Sequence, residues 1–326
     1  MTIRSLIAGT GGYLPERVLD NEALARAYGL DTSDAWVVER TGIRQRHLAA
    51  PGETCSSMAA AAARQALERA GLPADAVDLV VVATATPDSA FPSTAVRVQQ
   101  HLGITSGFGF DISAACTGFV YALGVANSLI RTGQARCALV IGAEVFSRIL
   151  DWTDRGTCVL FGDGAGAVVL TAGEGEGTSA DRGILSVHLH SDGRHGEILN
   201  VDGGAGSTGG TGLLRMAGKE VFRHAVSKLA AVVDEALEAN GLTHADVRWL
   251  VPHQANLRII DAMGRKLKLP PERVVVTVDR HANTSAASIP LALADAAASG
   301  RLERGDLVVM EGIGGGLTWG AALARL

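Results

Sequence analysis

The amino-acid sequence predicts an α/β fold built from two halves that repeat one βαβ-type unit. The first observation is an internal repeat, because residues 66–81 (ALERAGLPADAVDLVV) resemble residues 236–251 (ALEANGLTHADVRWLV) at a constant offset. The second is the alternation of helical segments with short apolar strands in both copies. Such copies bury their apolar faces against each other. We therefore expect the halves to pair around a pseudo-two-fold axis, with two helix N-termini directed towards one central site.

Composition and charge narrow the class of protein. The 326 residues are 47% hydrophobic but 4% aromatic, and 40 are glycine, so the core is predicted to be built from small, closely packed side chains. A formal net charge of −5 argues against general nucleic-acid binding. The four widely spaced cysteines and the lack of a visible signal peptide predict free thiols in the cytoplasm. No apolar run is long enough to cross a membrane.

The predicted elements divide the chain into an N-terminal half, residues 1–172, and a C-terminal half, residues 183–326, joined by a flexible connector. A glycine-rich surface loop is expected at residues 203–212. In chain order the predicted elements are a strand at 3–9, a helical region at 31–46, a helix at 54–70 capped by Gly71, a strand at 77–83, a helical segment from Phe91 to His101, a strand at 108–112, a helix at 118–130, strands at 137–142, 183–193 and 249–251, a helix at 255–268, and a strand at 306–311.

Two short patterns resemble binding sites but lack the context that such sites need. Gly162, Gly164 and Ala167 match a dinucleotide fingerprint, yet a β-rich run follows where that motif requires a helix. We therefore expect a tight turn between antiparallel strands. His188 and His190 alternate onto one strand face, but no acidic or cysteine ligand accompanies them in sequence, so no metal site is predicted.

Cys116 is a candidate nucleophile because it stands where a strand gives way to a helix. From Gly118 to Ile130 the small and apolar residues leave almost no polar face, which predicts a buried helix. The unpaired N–H groups and the dipole at a helix N-terminus favour a thiolate over a thiol. From its position alone, a small buried core residue is the slightly favoured interpretation.

Two further polar residues interrupt apolar structure at comparable places. His253 directly follows a predicted strand, and strand ends are where α/β proteins form their sites. When Gly133 is aligned with Gly300, Asn283 lies opposite Cys116. A cysteine, a histidine and an asparagine at three equivalent depths of a duplicated sheet predict a catalytic constellation.

Three consecutive glycines, Gly314–Gly316, come shortly after the last predicted strand, residues 306–311. A glycine loop lets a backbone N–H approach a ligand closely, and an oxyanion hole needs two such donors. The N–H of Cys116 and one N–H of this loop are the predicted pair. A tight glycine turn between strands is the alternative interpretation.

Trp36 and Arg40 lie four residues apart and share one face of a predicted helix, with Arg44 and Arg46 nearby. Tryptophan offers a π-face and arginine pairs with phosphate, so the pattern is compatible with a nucleotide site. A solvated charged helix with one packed tryptophan explains the same residues.

Taken together, these motifs resemble the β-ketoacyl-acyl carrier protein synthase III family, the condensing enzymes that initiate type II fatty acid synthesis. The resemblance covers essentially the whole chain. It implies the thiolase-like fold, with duplicated βαβαβ halves in a five-layered α-β-α-β-α core. It also implies an acyl-CoA primer, malonyl-acyl carrier protein as partner, a homodimer, no tightly bound cofactor and no metal. The motifs are TSDAWVVERTGIR, AACTGF, DRGT, FGDGAGA, VPHQANLRII, HANTSAAS and GGGLTWG.

The resemblance further implies roles for single residues. Cys116 matches the acyl-accepting nucleophile, and His253 and Asn283 match the pair that stabilises the enolate formed when malonyl thioester loses carbon dioxide. Gly315 matches the loop residue that completes the oxyanion hole with the Cys116 N–H. The other matches are Trp36 and Arg155, which sandwich the adenine of coenzyme A; Thr32, Arg40 and Asn256, which make further contacts to it; and Phe91, which reaches into the partner's acyl pocket.

The predicted helix at residues 255–268 offers a surface for an acidic carrier protein. Arg258 and Arg265 share one face, Lys266 lies near the helix end, and Arg223 extends the basic area. For Lys266, an interaction with the helix dipole is an equally good explanation. Arg258 is the preferred docking residue because it follows the HQAN motif.

Three positions depart from the family pattern. Ala282 stands where glycine is usual, and Ile313 and Leu317 stand where phenylalanines are common. Smaller side chains leave more room near Cys116, so we expect primers longer than acetyl to be accepted.

The alternative function is a starter-unit ketosynthase or acyltransferase of a secondary, polyketide-like pathway on the same fold. The set of Cys116, His253 and Asn283 favours condensation over simple transfer. A thiolase or a hydroxymethylglutaryl-CoA-type synthase needs a further acid or base that these motifs lack. A non-catalytic partner subunit has no need of the nucleophile.

Overall fold

The computed structural model describes residues 1–326 and confirms the α/β class. Its strands form one five-stranded sheet, one four-stranded sheet and two short two-stranded ribbons. The strands in chain order are β1 (Thr2–Tyr13), β2 (Arg17–Asp20), β3 (Gln45–Leu48), β4 (Leu79–Ala83), β5 (Phe108–Ile112), β6 (Cys137–Glu144), β7 (Gly164–Gly175), β8 (Gly183–Ser191), β9 (Leu199–Val201), β10 (Leu214–Met216), β11 (Trp249–Pro252), β12 (Leu307–Gly314) and β13 (Thr318–Arg325).

The helices alternate with these strands in both halves. They are α1 (Asn21–Tyr28), α2 (Asp34–Thr41), α3 (Cys55–Ala70), α4 (Thr94–Leu102), α5 (Gly118–Arg131), α6 (Arg155–Cys158), α7 (Gly218–Glu238), α8 (Leu257–Lys266), α9 (Val278–His281) and α10 (Ser288–Ala298). No helix is both long and apolar enough to cross a membrane.

The two large sheets repeat one topology. The first has the order β1-β7-β6-β4-β5 and the second the order β8-β13-β12-β11, with parallel pairing at β4–β6 and at the equivalent β11–β12. The counterpart of β5 in the second sheet is reduced to a single parallel bridge between Leu250 and Val274. The predicted duplication is therefore present in the backbone.

Five layers of structure enclose three apolar cores. Helices α3 and α4 cover the outer face of the first sheet, and α7 and α8 cover the outer face of the second. Helices α5 and α10 lie between the sheets, and eight of the eleven residues of α10 are buried. Both central helices are apolar all round because they meet a sheet on either side. The predicted α-β-α-β-α core is confirmed.

The repeated segments at residues 66–81 and 236–251 are 170 positions apart, and the same offset relates the two turns that precede α5 and α10. Ala115 and Ser285 (170 positions apart) both adopt a positive φ, 46° and 48°, in a short 3₁₀ turn that precedes the central helix. The alignment of Gly133 with Gly300 was wrong, because α10 is three residues shorter than α5 and so shifts the glycine that follows it. Cys116 is therefore equivalent to Ala286, and Asn283 lies three residues before that position.

Residues 162–167 are not the predicted turn. Gly164 begins the long strand β7, which pairs with β1 and β6. No helix follows, so the segment lacks the context of a dinucleotide fingerprint. A side chain at Gly166 would place Cβ 2.5 Å from the backbone nitrogen of Leu291, which explains the small residues as a packing surface for α10.

The polar region at residues 31–46 contains a shorter helix than predicted. Ser33 caps the N-terminus of α2 through the Trp36 N–H, and Gly42, with φ 77°, ends it. Residues 45–48 then pair with β2 as strand β3. The left-handed conformation at Gly42 is the physical reason that the helix stops.

Part of the N-terminal half packs onto the other half. Leu24, Val37, Ile43 and Phe161 belong to the outer apolar core beneath α7 and α8. The boundaries at 1–172 and 183–326 stay a prediction, with β7 ending at Gly175 and β8 beginning at Gly183.

His188 and His190 have an acidic neighbour that the sequence did not predict. Their ring nitrogens lie 3.0 and 2.6 Å from the two carboxylate oxygens of Glu235 on α7. These contacts tie β8 to the outer helix. The structure contains no group of three or more His, Cys, Asp or Glu side chains placed to hold a metal ion.

Candidate active site

One cavity collects the three residues of the predicted constellation. It has a volume of about 520 Å³ and opens between α2, α7, α8 and the strands β9 and β10. Cys116, His253 and Asn283 all line it, together with Arg40, Asn256 and Arg258. Chain segments far apart in sequence thus converge as predicted.

Cys116 sits in the 3₁₀ turn Ala115–Thr117 at the start of α5, and only 5% of the residue is exposed. Strand β12 passes directly beside it. A Cβ on Gly314 would lie 2.6 Å from the Cys116 backbone nitrogen, so only glycine permits this approach. Because Gly314 begins the glycine loop, this close contact also places the loop beside Cys116.

The state of the Cys116 thiol differs from the expectation based on its helix position. Burial raises the pKa of this thiol to about 12, and the Ser285 hydroxyl nearby makes no hydrogen bond. Loss of water around the small thiolate ion disfavours the charged form of the side chain. Burial therefore favours a neutral thiol in the resting protein, whereas the position at a helix N-terminus favours the thiolate.

The glycine loop between β12 and β13 is held against the Cys116 turn by two threonines. Thr318 Oγ1 lies 3.0 Å from the carbonyl oxygen of Ala114 and 3.3 Å from that of Gly315, and its one proton can be donated to either. Thr117 Oγ1 donates to the Thr318 carbonyl (2.9 Å). Gly315 does not line the cavity, but a side chain there would meet the carbonyl oxygen of Leu199, which does. The glycine loop therefore packs between Cys116, which Gly314 contacts, and Leu199, which Gly315 contacts.

His253 follows β11 and is 4% exposed. Its backbone N–H donates to the Glu311 carbonyl (2.8 Å), and its Nδ1 lies 2.6 Å from Ser288 Oγ. Burial lowers the pKa of His253 to about 3, so the ring is neutral at physiological pH. The nitrogen left for the cavity is Nε2.

Asn283 is oriented by backbone contacts on both sides. Its N–H donates to Leu160, its carbonyl accepts from Gly162, and its Oδ1 accepts the Ser285 N–H at 2.9 Å. The amide Nδ2–H₂ is thus the group available to a ligand. Ala282, directly before it, has φ 58°, which explains why glycine suits this position without strain.

A second group of predicted residues includes Arg40, which lines the cavity, and Trp36 and Arg155, which do not. The guanidinium carbons of Arg40 and Arg155 lie 4.5 and 5.0 Å from the ring centre of Trp36. Arg155 also bonds the carbonyl of Asp31 and lies 3.6 Å from its carboxylate. The three side chains form one stacked cluster at the surface.

Thr32 and Asn256 flank this cluster. Thr32 Oγ1 makes no hydrogen bond within the chain. Asn256 caps α8 by accepting the Ile259 N–H (3.1 Å), which leaves its amide N–H₂ free beside the cavity. Asn256 therefore has a structural task as well as the contact predicted for it.

The predicted docking residues lie on the cavity rim or beyond it. Arg258 is exposed, lines the cavity and lies 5.7 Å from the ring of Phe222. Arg265 and Lys266 are exposed further along α8, and Arg223 is paired with Glu220 at 2.5 Å. Only Arg258 of this set touches the cavity.

Phe91 lies away from the cavity and is 85% exposed. Ile313 lines the cavity, whereas Leu317 is buried in the outer core and does not. Of the two positions at which phenylalanine is common in the family, only Ile313 thus borders the cavity that contains Cys116.

Several lining residues were not singled out from sequence. They come from elements that approach only in the folded chain, and no local pattern marks them. They include Lys219, Phe222, Leu199, Met216 and Phe161. Ser288 was also missed, although its place five residues after Asn283 at the start of a helix is a usable signal.

Comparison with protein families gives two matches. Residues 110–193 match the model described as 3-oxoacyl-[acyl-carrier-protein (ACP)] synthase III, and residues 237–326 match the model of its C-terminal part. A β-ketoacyl-[acyl-carrier-protein] synthase III of Rhodospirillum centenum is 66% identical over 325 residues, covering 100% of both chains.

Solved structures give the same picture. The 3-oxoacyl-[acyl-carrier-protein] synthase III of Aquifex aeolicus is 47% identical, with a TM-score of 0.92 over 99% of this chain and 100% of that one. The priming β-ketosynthase of the R1128 polyketide pathway is 38% identical, with a TM-score of 0.91 over 99% of this chain and 96% of that one. Both share the entire fold.

The buried thiol predicts how alkylation of Cys116 depends on pH. Because the reactive thiolate is the minor form below pH 12, its fraction rises about tenfold per pH unit. The rate of carbamidomethylation of Cys116 by iodoacetamide, followed by peptide mass spectrometry, is expected to climb from pH 7 to pH 10 without a plateau. Cys116→Ala gives the background. A plateau below pH 8 would show instead a thiolate stabilised by the helix terminus.

Proposed function

Because the chain belongs to the 3-oxoacyl-[acyl-carrier-protein] synthase III family, we propose that it joins an acyl-CoA primer to malonyl-acyl carrier protein, which initiates fatty acid synthesis. The observation that carries this proposal is the meeting of Cys116, His253 and Asn283 in one cavity. A nucleophile beside two neutral hydrogen-bond donors suits acyl transfer followed by formation of an enolate.

In the first half-reaction, the sulfur of Cys116 attacks the thioester carbon of the primer. The Sγ–C bond forms, the bond to the coenzyme A sulfur breaks, and the proton of the thiol leaves with coenzyme A. The backbone N–H groups of Cys116 and Gly315 are proposed to stabilise the negative charge on the thioester oxygen. The close approach of β12 to the cysteine supports this pairing.

In the second half-reaction, the bond between the malonyl methylene carbon and the carboxylate breaks, and carbon dioxide leaves. The electron pair forms an enolate, whose oxygen accepts hydrogen bonds from His253 Nε2 and Asn283 Nδ2. Each such donor lowers the barrier by roughly 3 kcal/mol. The enolate carbon then attacks the acyl carbon on Cys116, and the released thiolate takes a proton from solvent. No base or bound cofactor is required.

The stacked cluster at the cavity rim is proposed to bind the adenine of coenzyme A. Arg155 lies 5.0 Å from the Trp36 ring centre, whereas a base between two planes needs roughly 7 Å, twice a van der Waals contact. Arg155 must therefore move outward by about 2 Å on binding. The Arg155 side chain is half-exposed and its ion pair is with the exposed Asp31, so little free energy is lost when it moves. Arg40 and Asn256 offer donors at the cavity, whereas the Thr32 hydroxyl is buried and must become exposed before it contacts coenzyme A.

The polyketide-like alternative is less well supported. The priming β-ketosynthase of the R1128 pathway is 38% identical to this chain, against 66% for the synthase III of Rhodospirillum centenum. Primary fatty acid initiation is the better conclusion, and it is compatible with the predicted cytoplasmic location.

The first test uses intact-protein mass spectrometry with a panel of acyl-CoAs, followed by malonyl-acyl carrier protein. Wild-type protein is expected to gain one acyl group, which is then released as β-ketoacyl product with carbon dioxide. Cys116→Ala is expected to gain none. An adduct that is released without carbon dioxide would point to an acyltransferase, and no adduct with any primer would reject the mechanism.

The same panel ranks the primers. Ile313, a smaller side chain than the phenylalanine common at this position, lines the cavity and favours chains longer than acetyl. We expect kcat/KM for octanoyl-CoA to equal or exceed that for acetyl-CoA, and a strong preference for acetyl-CoA would refute this expectation.

Arg258 provides a test of carrier-protein docking. It is exposed at the cavity rim and backed by Phe222, so an acidic partner meets it before entering. Arg258→Glu is expected to raise KM for malonyl-acyl carrier protein about tenfold or more and to leave acylation by acyl-CoA within about twofold. Arg131→Glu, an exposed charge reversal at the far end of α5, is the matched control. Equal loss of both half-reactions would contradict a docking role.

A homodimer is proposed from the edge of the first sheet. Strand β5 ends that sheet with unpaired backbone groups, and Phe91, Val96 and Phe108 nearby are 85, 43 and 41% exposed. Light scattering is expected to give twice the chain mass of 33.6 kDa. Phe108→Lys is expected to weaken the dimer, and a monomer at every concentration of wild-type protein would reject it.

A further inference from the structure

Ser288 is a buried polar residue that the mechanism has not yet used. It is the first residue of α10, is 1% exposed and does not line the cavity. Its hydroxyl makes two hydrogen bonds, one with His253 Nδ1 at 2.6 Å and one with the backbone N–H of Gln254 at 3.3 Å. Both contacts are with the strand end that presents His253 to the cavity.

The chemistry of these two contacts decides which partner donates. A peptide N–H can only donate, so the bond from Gln254 uses Ser288 Oγ as an acceptor. The hydroxyl has one proton, and Nδ1 is the remaining partner within reach. A neutral imidazole has one nitrogen that accepts and one that donates. If the serine proton points to Nδ1, the ring proton must reside on Nε2.

Gln254 cannot turn its N–H away, because its side chain is locked. The amide nitrogen donates to the carbonyls of Pro252 (2.8 Å) and Val275 (3.1 Å). The amide oxygen accepts the N–H groups of Thr277 (2.8 Å) and Val278 (3.1 Å). These four buried hydrogen bonds keep the backbone at Gln254 in one orientation. Its N–H therefore stays directed at Ser288 Oγ and occupies one lone pair of that oxygen.

We propose that Ser288 is a positioning residue that fixes the tautomer of His253, so that Nδ1 accepts from the serine and Nε2–H points into the cavity. Burial keeps the imidazole neutral, which makes the choice of tautomer consequential. With the proton on Nδ1 instead, Nε2 would present a lone pair to the enolate oxygen and repel it. The kinetic part of this inference rests on the proposed condensation, whereas the tautomer itself does not.

The direct test is ¹⁵N NMR of the histidine ring in the full-length protein, with His253 assigned by its loss in His253→Asn. Wild-type protein is expected to show a protonated, pyrrole-type Nε2 and an unprotonated, pyridine-type Nδ1. Ser288→Thr keeps the hydroxyl and is expected to keep this pattern. Ser288→Ala removes the donor and is expected to shift both resonances towards a mixture of tautomers. A pyrrole-type Nδ1 in wild-type protein would overturn the proposal.

The kinetic test separates the two half-reactions. Ser288→Ala is expected to lower kcat for release of carbon dioxide from malonyl-acyl carrier protein about tenfold or more, with little change in KM, because a transition-state donor is lost. Acylation of Cys116 by acyl-CoA is expected to stay within about twofold. Ser288→Thr is expected to recover most of kcat. Ser299→Ala, at the other end of the same helix, controls for general effects, and melting temperatures report on folding.

The possible outcomes are distinct. Equal loss of both half-reactions in Ser288→Ala, or wild-type decarboxylation with unchanged ring resonances, would overturn the positioning role. If wild-type protein releases no carbon dioxide but shows a pyrrole-type Nε2 that Ser288→Ala disturbs, the tautomer assignment stands and the condensation does not.

Discussion

The contact between the backbone of β6 and the turn before α10 is the constraint on which the site depends. A Cβ on Gly142 would lie 2.1 Å from the carbonyl oxygen of Ala286, so the two halves meet there without any intervening side chain. A similar contact joins Gly314 of β12 to the backbone nitrogen of Cys116. Each half therefore inserts a helix start against a strand of the other.

These close approaches explain the unusual composition. Two central helices can lie between two sheets only if the residues at their crossings are small, and the chain meets this need with glycine and alanine. The same packing removes water from the helix starts. A site formed at that place has little contact with solvent, since only 5% of Cys116 and 4% of His253 are exposed.

Burial in turn sets the protonation states of the titratable groups at the site. Burial raises the pKa of Cys116 to about 12, lowers that of His253 to about 3, and raises that of Glu144, near the cysteine, to about 7. A neutral thiol, a neutral imidazole and an amide then surround the reacting atoms. Negative charge that develops on a thioester or enolate oxygen meets oriented donors, which is the arrangement that the proposed reaction needs.

Sequence reasoning was reliable where the cause of structure is local. Apolar periodicity, the capping residue Gly71 and the repeat at residues 66–81 and 236–251 determined the elements and the duplicated fold. The catalytic candidates followed from their motifs. Their roles as a nucleophile and two donors stay proposals, although the folded chain does bring them together.

Only the tertiary structure decided the features that depend on distant neighbours. The true offset of the repeat at Cys116, the start of β7 at Gly164 and the contact of Glu235 with two histidines all arise from packing between segments. The neutral thiol and the bond from Ser288 to His253 also belong to this group. Desolvation and hydrogen-bond direction are set by what surrounds a group in space, and a linear sequence does not record those surroundings.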